Sequence, residues 1–329
     1  MQEHLPKPKT MRILANDGIS KAGIEALEEN GFTVVTENVP QDQLIDAINN
    51  EGYTALLVRS ATTVRKDLID ACPNLKLIGR GGVGMDNIDV EYARSIGRHV
   101  INTPGASSQS VAELVMGHLF SASRSTFHSN RMMPENGDTE FKTLKKRYGK
   151  GQELRGKAIG IVGFGRIGQS LASYCLGCGM KVIAVDLFTE SADIPVEIHG
   201  HGTVNVTISA TKNLSSVIGE LDYISLHVPK QADGSAVIGA NELNAMKDGV
   251  VIVNAARGGV VDEDALIAAL ESGKVKAAAL DVFENEPTPN KALLENEKIA
   301  STPHIGAATQ EAQDRIGLEL AEQIVKLLK

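Results

Sequence analysis

Three observations predict an α/β fold of two doubly wound parallel-sheet units. Short apolar runs alternate with helix-like stretches along most of the chain, the pattern of strands feeding crossover helices. Gly163, Gly165 and Gly168 form a G-x-G-x-x-G between an apolar run at 158–162 and a helix-like run at 169–176, the context a dinucleotide-binding turn requires. The chain has 329 residues, whereas a single core rarely grows beyond ~250–300.

Taken in order, residues 11–15 read as a strand, and Ser20 is placed to cap a helix carrying Ile24 and Leu27 that Gly31 can end. Strand 32–35, helix 41–49, strand 55–58, helix 66–71 (stopped before Pro73), strand 75–79, helix 90–96 and strand 100–101 follow. This first unit has no phosphate fingerprint of its own. A long helix is expected over 107–124. The basic stretch 141–150, with Lys142, Lys145, Lys146, Arg147 and Lys150, reads as a solvated loop. After the fingerprint comes a second apolar run, 181–186, ending in Asp186. An irregular, partly polar section is expected over 187–213. Helix 214–218, strand 223–227, helix 242–246, strand 250–254, helix 263–271, strand 277–282 and strand 299–302 complete the second unit. Ile316, Leu320, Ile324 and Leu327 recur at helical spacing in a last helix, 309–328. That helix is expected to return to the first unit, making it discontinuous.

Composition excludes several classes. The chain is 42% hydrophobic and 22% charged, as in a globular protein, and its net charge of −8 argues against general affinity for nucleic acid or anionic membranes. No apolar run reaches the ~20 residues that span a bilayer. Residues 1–10 are polar, lack an apolar signal core and read as a frayed extension, so a cytoplasmic location is expected. The three cysteines are an odd number, which disfavours a disulfide framework. Cys175 and Cys178 form a C-x-x-C without a second pair or a well-spaced His, so helix packing is the expected role. His199-Gly-His201 reads as a polar loop, and no metal site is expected.

The chemistry is expected at strand ends. Gly163 permits the tight turn, Gly165 lets a pyrophosphate approach the backbone, and Gly168 lets helix and strand pack closely. The helix N-terminus offers N–H groups to the phosphates. Asp186 would accept from the ribose hydroxyls and repel a 2′-phosphate. Leu187 and Phe188 follow it, with no Arg, which favours NAD over NADP. In open parallel sheets ligands sit outside the carboxyl ends of the strands, where His227, Arg257, Asp281 and His304 fall, with Glu286 in a turn nearby. His is suited to move the proton of a hydroxyl, a neighbouring Glu can orient it, and Arg can hold a carboxylate by paired hydrogen bonds.

Four segments carry a family resemblance: Gly163-Phe-Gly-Arg-Ile-Gly168, Asn254-Ala-Ala-Arg-Gly-Gly-Val-Val-Asp262, Ala279-Leu-Asp-Val-Phe-Glu-Asn-Glu-Pro287 and Thr302-Pro-His-Ile-Gly-Ala307. With them the chain resembles the D-isomer-specific 2-hydroxyacid dehydrogenases over nearly its whole length. Segments 58–63, 78–88 and 304–312 are most similar to the phosphoglycerate dehydrogenase branch. The resemblance implies a Rossmann NAD-binding domain over 107–307, with a dimerisation arm about 107–150. It implies a flavodoxin-like substrate domain from 1–106 plus 308–329, an active site in the cleft, and a homodimer. It casts His304 as general acid/base, Glu286 as its support and Arg257 as the residue orienting substrate. Cofactor contacts are implied at Val83, Gly163, Gly165, Arg166, Ile167, Gly168, Asp186, His227, Val228, Ala255, Ala256, Arg257, Asp281, His304, Gly306 and Ala307. Backbone groups of Gly81, Gly82 and Val83 would bind the substrate carboxylate. Arg59 and Arg80 would hold a substrate phosphate, with Lys146 or Arg147 contributing from a partner subunit. The implied reaction is NAD-dependent oxidation of 3-phospho-D-glycerate to 3-phosphohydroxypyruvate, the entry to serine synthesis. The alternatives are a glycerate, hydroxypyruvate or D-lactate-type dehydrogenase, and a non-catalytic NAD-sensing protein on the same scaffold. Three departures stand out. The C-terminal regulatory domain of longer members is not expected. Leu187-Phe188 stands where the family often has Pro, ahead of a long 187–213 segment. Leu144 is expected in place of the Trp often found before the fingerprint strand.

Overall fold

The computed structural model describes residues 10–329; the polar stretch 1–10 thus falls, except for Thr10, outside the described residues. Contacts divide the chain into two units. One comprises the residues up to Ser107 together with Ala307–Lys329; the other is Ser108–Gly306.

The first unit is a five-stranded parallel sheet in the order β2-β1-β3-β4-β5. Its elements are β1 (Arg12–Ala15), α1 (Lys21–Glu29), β2 (Thr33–Val35), α2 (Leu44–Glu51), β3 (Tyr53–Val58), α3 (Lys66–Ala71), β4 (Leu77–Arg80), α4 (Val90–Ser95) and β5 (His99–Asn102). That order is the flavodoxin-like one. Successive strand side chains point to opposite faces, so Leu14, Leu56, Val58 and Ile78 enter one core with Leu44, Ile48 and Leu68. Ile13, Leu57, Leu77 and Ile101 enter the other with Leu27, Ile316, Leu320 and Ile324. The last three come from the final helix of the chain, Gln310–Leu328, capped by Thr309, whose hydroxyl accepts from Ala312 N. Ser20 caps α1 as the sequence suggests, accepting from Gly23 N.

The second unit opens with α5 (Ser108–Arg124), α6 (Thr126–Asn136) and α7 (Phe141–Tyr148). Residues 141–150 were expected as a solvated loop. Phe141–Tyr148 form a helix, with Leu144 buried and the basic side chains solvated, and Gly149 and Lys150 follow it. Then come β6 (Ala158–Val162), α8 (Arg166–Gly177), β7 (Lys181–Val185), β8 (Ser191–Ile198), β9 (Gly202–Thr211), β10 (Tyr223–Leu226), α9 (Ala240–Ala245), β11 (Val250–Asn254), α10 (Glu263–Ser272), β12 (Val275–Leu280), α11 (Lys291–Leu294) and β13 (Ile299–Ser301). The final helix is α12. The strands form one eight-stranded sheet, β13-β12-β11-β10-β6-β7-β9-β8. All pairs are parallel except β8–β9.

The second correction concerns 187–213. Instead of an irregular section it holds the β8–β9 hairpin, with His199, Gly200 and His201 at its turn. Val204, Val206 and Ile208 alternate with Asn205, Thr207 and Ser209, a period-2 pattern that specifies a strand with one face covered. Ile194 and Ile208 are buried in the same cluster as Leu171 of α8. A third difference is small: 214–218 forms two 3₁₀ turns, Leu214–Ser216 and Ile218–Glu220, rather than an α-helix, with Asn213 accepting from Ser215 N at the first. Cys175 lies in the core beside Met116, and burial pushes its thiol up to about 12.

Candidate active site

The connections from β6 and β10 run to opposite sides of the sheet, so the switch point lies between these two strands. Gly163 follows β6 with φ +92°. A Cβ there would fall 2.4 Å from the His227 carbonyl oxygen, and one at Gly168 would fall 2.2 Å from the Gly163 carbonyl oxygen. Neither position admits a side chain without moving backbone. Around Gly165 nothing lies within 4 Å of a built Cβ, and no side chain caps α8. The turn therefore offers an open floor and the first N–H groups of a helix, which fits a pyrophosphate. Arg166 is exposed and Ile167 half-buried at the same helix start.

Asp186 stands at the end of β7. Its Oδ2 accepts from Phe164 N at 2.6 Å, and its Oδ1 accepts from Phe188 N and Thr189 N, both at 2.8 Å. Burial alone would raise its carboxyl, but these N–H donors outweigh it and hold it below the usual carboxylate range. The anion is fixed where a ribose diol is expected, so the residues present fit NAD. Leu187 and Phe188 beside it are exposed.

Arg257, Glu286 and His304 lie together within the second unit. Asn254, the last residue of β11, donates to the Arg257 carbonyl oxygen and accepts from Ala256 N, which shapes the turn after the strand. Arg257 Nη1 donates to the Ala256 carbonyl oxygen at 2.7 Å. Glu286 Oε1 accepts from Phe283 N at 3.0 Å, and its Oε2 lies 2.7 Å from His304 Nδ1. Burial works to raise the Glu286 carboxyl. The bond from His304, the Phe283 N–H and the Arg257 charge reverse this and leave it lowered. An ionised Glu286 fixes the proton of His304 on Nδ1 and leaves Nε2 for a ligand.

His304 has φ +54°, a left-handed conformation uncommon for a residue with a side chain. Asp281 holds that turn. It is 1% exposed, with Oδ1 accepting from Thr302 Oγ1 (2.6 Å) and Ile305 N (2.8 Å), and Oδ2 accepting from Gly306 N (2.8 Å). The sequence marks Asp281 as a cofactor contact; the structure occupies its carboxylate in organising the turn. His227, also marked for the cofactor, is half-buried. Its Nε2 pairs with Ser225 Oγ at 2.8 Å and its Nδ1 has no partner among the described residues. Burial pushes it down to about 4, so it is a neutral imidazole and no proton carrier near neutrality. Ala255 and Val228 are half-buried and Ala256 is buried.

In the first unit, Gly82 has φ +143° and its carbonyl oxygen accepts from Thr103 N at 3.1 Å. Val83 is exposed, with its carbonyl oxygen accepting from Asn102 Nδ2 at 2.6 Å. Arg80 turns back on this loop, donating to the Gly81 carbonyl oxygen and to Ser60 Oγ. Arg59 is half-buried. Its backbone N–H is held by Asp17 at 2.5 Å, and its guanidinium has no hydrogen bond or ion pair among the described residues. Arg147 of α7 is paired with Glu297 at 2.6 Å.

Residues 116–306 match the model for the D-isomer specific 2-hydroxyacid dehydrogenase, NAD binding domain. The chain is 43% identical to hydroxypyruvate reductase of Thermotoga maritima, over 96% of this chain and 98% of that protein. It is 40% identical to D-3-phosphoglycerate dehydrogenase of Methanocaldococcus jannaschii, over 97% of this chain but 58% of that protein, so it spans little more than half of that relative. Among solved structures it resembles D-mandelate dehydrogenase of Rhodotorula graminis (TM-score 0.82, 27% identity, 96% of this chain and 93% of that one). It also resembles a glyoxylate reductase of Paecilomyes thermophila (TM-score 0.80, 28% identity, 98% and 97%). Fold and relatives define an NAD-dependent oxidoreductase of hydroxyacids. The chain belongs to the D-isomer-specific 2-hydroxyacid dehydrogenase family.

Proposed function

We propose that the chain interconverts 3-phospho-D-glycerate and 3-phosphohydroxypyruvate. NAD supplies the hydride acceptor, or NADH the donor. His304 Nε2 takes the C2 hydroxyl proton during oxidation and returns it during reduction. Glu286 accepts from Nδ1, which fixes the ring and leaves Nε2 to face the substrate. Arg257 orients the substrate carboxylate and carbonyl by charge-assisted hydrogen bonds. Gly81, Gly82 and Val83 offer backbone groups to the carboxylate.

The observation that carries the phosphate is Arg59, a half-buried guanidinium with no anionic partner among the described residues. Arg80 is tied to its own loop, which makes it the weaker of the two candidates. A second reading, reduction of unphosphorylated hydroxypyruvate, is favoured by the Thermotoga maritima relative, which the chain matches almost end to end.

Comparing kcat/KM for phosphohydroxypyruvate and hydroxypyruvate with NADH separates the two. The phosphorylated substrate is expected to be preferred. Arg59→Ala should cost it about 10²-fold, the worth of a hydrogen-bonded charge pair at roughly 1.5–3 kcal/mol, and leave hydroxypyruvate nearly unaffected. Equal losses on both would remove Arg59 from the phosphate role. A wild-type preference for hydroxypyruvate would establish the second reading.

A further inference from the structure

α5 approaches the turn that carries His304 at two places, one on each flank. Ser110 Oγ donates to the Gly306 carbonyl oxygen at 2.6 Å, and His118 Nε2 lies 3.2 Å from Thr302 Oγ1. Both side chains belong to buried residues, His118 being 6% exposed. A buried imidazole in a helix that otherwise faces the sheet with Val111, Ala112, Val115 and Leu119 needs a reason.

The proton count supplies one. The Thr302 hydroxyl has one hydrogen, and it goes to Asp281 Oδ1 at 2.6 Å. Both Asp281 oxygens already accept from backbone N–H groups of the same turn. Thr302 Oγ1 therefore meets His118 as an acceptor, so His118 must donate from Nε2. This is a directed chain: His118 Nε2–H to Thr302, Thr302 O–H to Asp281, and Asp281 receiving Ile305 N and Gly306 N. It ends one residue from His304, whose left-handed backbone requires outside support.

We infer that His118 is a positioning residue for the reaction, acting through Thr302 and Asp281 to hold the His304 turn in the geometry that proton transfer uses. Burial pushes its imidazole down, against the opposing pull of the Asp281 charge. The inference rests on the assignment of proton transfer to His304 under the proposed function.

The test compares His118→Leu, which removes the donor, with His118→Gln, which retains one at similar reach. Both are assayed with hydroxypyruvate and NADH, with NADH affinity measured separately. His118→Leu should lower kcat about tenfold with NADH affinity unchanged, since small displacements of a reacting group cost rate rather than binding. His118→Gln should recover most of that loss. Thr302→Val should lower kcat similarly, and the double variant His118→Leu/Thr302→Val should be no worse than Thr302→Val alone, because both act on one chain. A wild-type kcat in His118→Leu overturns the inference. So does a loss in His118→Gln equal to that in His118→Leu, or additive losses in the double variant. The underlying assignment fails differently, by retained turnover in His304→Ala, where near-complete loss with NADH binding intact is expected.

Discussion

Two histidines that follow strands stand in opposite surroundings, and their neighbours set the difference. His304 meets an ionised carboxylate and stays partly exposed, whereas His227 is half-buried, with Nδ1 shut off from solvent and Nε2 on Ser225. The folded-state value near 4 for His227 lies below the ~6.5 of an unfolded chain. Between those values the unfolded chain binds a proton that the native one refuses, so stability is lost as pH falls through this window, by roughly 3 kcal/mol at its foot. His227→Gln, which can still pair with Ser225, should flatten the decline of unfolding free energy between about pH 6.5 and 4. A decline as steep as in the wild type would show that His227 is not the desolvated neutral group described here. At this scale the sequence points to Arg257, Glu286 and His304 because strand-end positions in a parallel sheet converge, and the structure puts His304 Nδ1 2.7 Å from Glu286 with the Arg257 charge near by. The sequence missed Ser110 and His118, which sit within a helical stretch and carry no motif. Asp281 is picked out as a strand-end residue, but its hydrogen bonds to three backbone or hydroxyl donors depend on how 302–306 folds.

Among the elements, the β8–β9 hairpin departs most from expectation. Its alternation is plain once the pairing is known, but Pro195, the glycines at 200 and 202 and the many polar residues hid it. Half of a strand's residues face water when one face is covered, so its composition resembles a loop. The covered face is anchored at Ile194, fully buried, and Ser173 Oγ donates to the Pro195 carbonyl oxygen at 2.7 Å. Ile194→Ala should cost about 2–4 kcal/mol in the unfolding of the second unit. Val204→Ala, at a site 53% exposed, should cost roughly 0.5 kcal/mol or less. Equal effects in thermal or denaturant unfolding would mean that the hairpin does not pack on α8 as described.

Across the whole molecule, the chain closes its first unit with its last helix. α12 crosses α1 at two glycines: a Cβ on Gly317 would fall 2.3 Å from Ser20 Oγ and 3.1 Å from Gly23 Cα, and one on Gly23 would fall 2.7 Å from Gly317 Cα. The approach leaves no room for a side chain at either position. Gly317→Leu should therefore destabilise the first unit by about 1–3 kcal/mol. NADH affinity, which the glycine turn and Asp186 of the second unit are expected to carry for the most part, should be largely retained. Unchanged unfolding, or loss of NADH binding in step with stability, would contradict this division of labour.

The sequence by itself determined the class of the protein. Glycine spacing, strand periodicity and the acid at Asp186 are local features, fixed by backbone sterics and hydrogen-bond geometry over a few residues, so they can be read without a fold. The discontinuous first unit was legible for the same reason, since the amphipathic period of α12 announces a face that must be buried. What only the tertiary structure decided is whatever depends on partners distant in the chain. The packing of the hairpin on α8, the desolvation that neutralises His227, and the path from His118 through Thr302 and Asp281 to the His304 turn join residues up to 184 positions apart. Desolvation and hydrogen-bond direction are set by surroundings that a linear pattern does not contain.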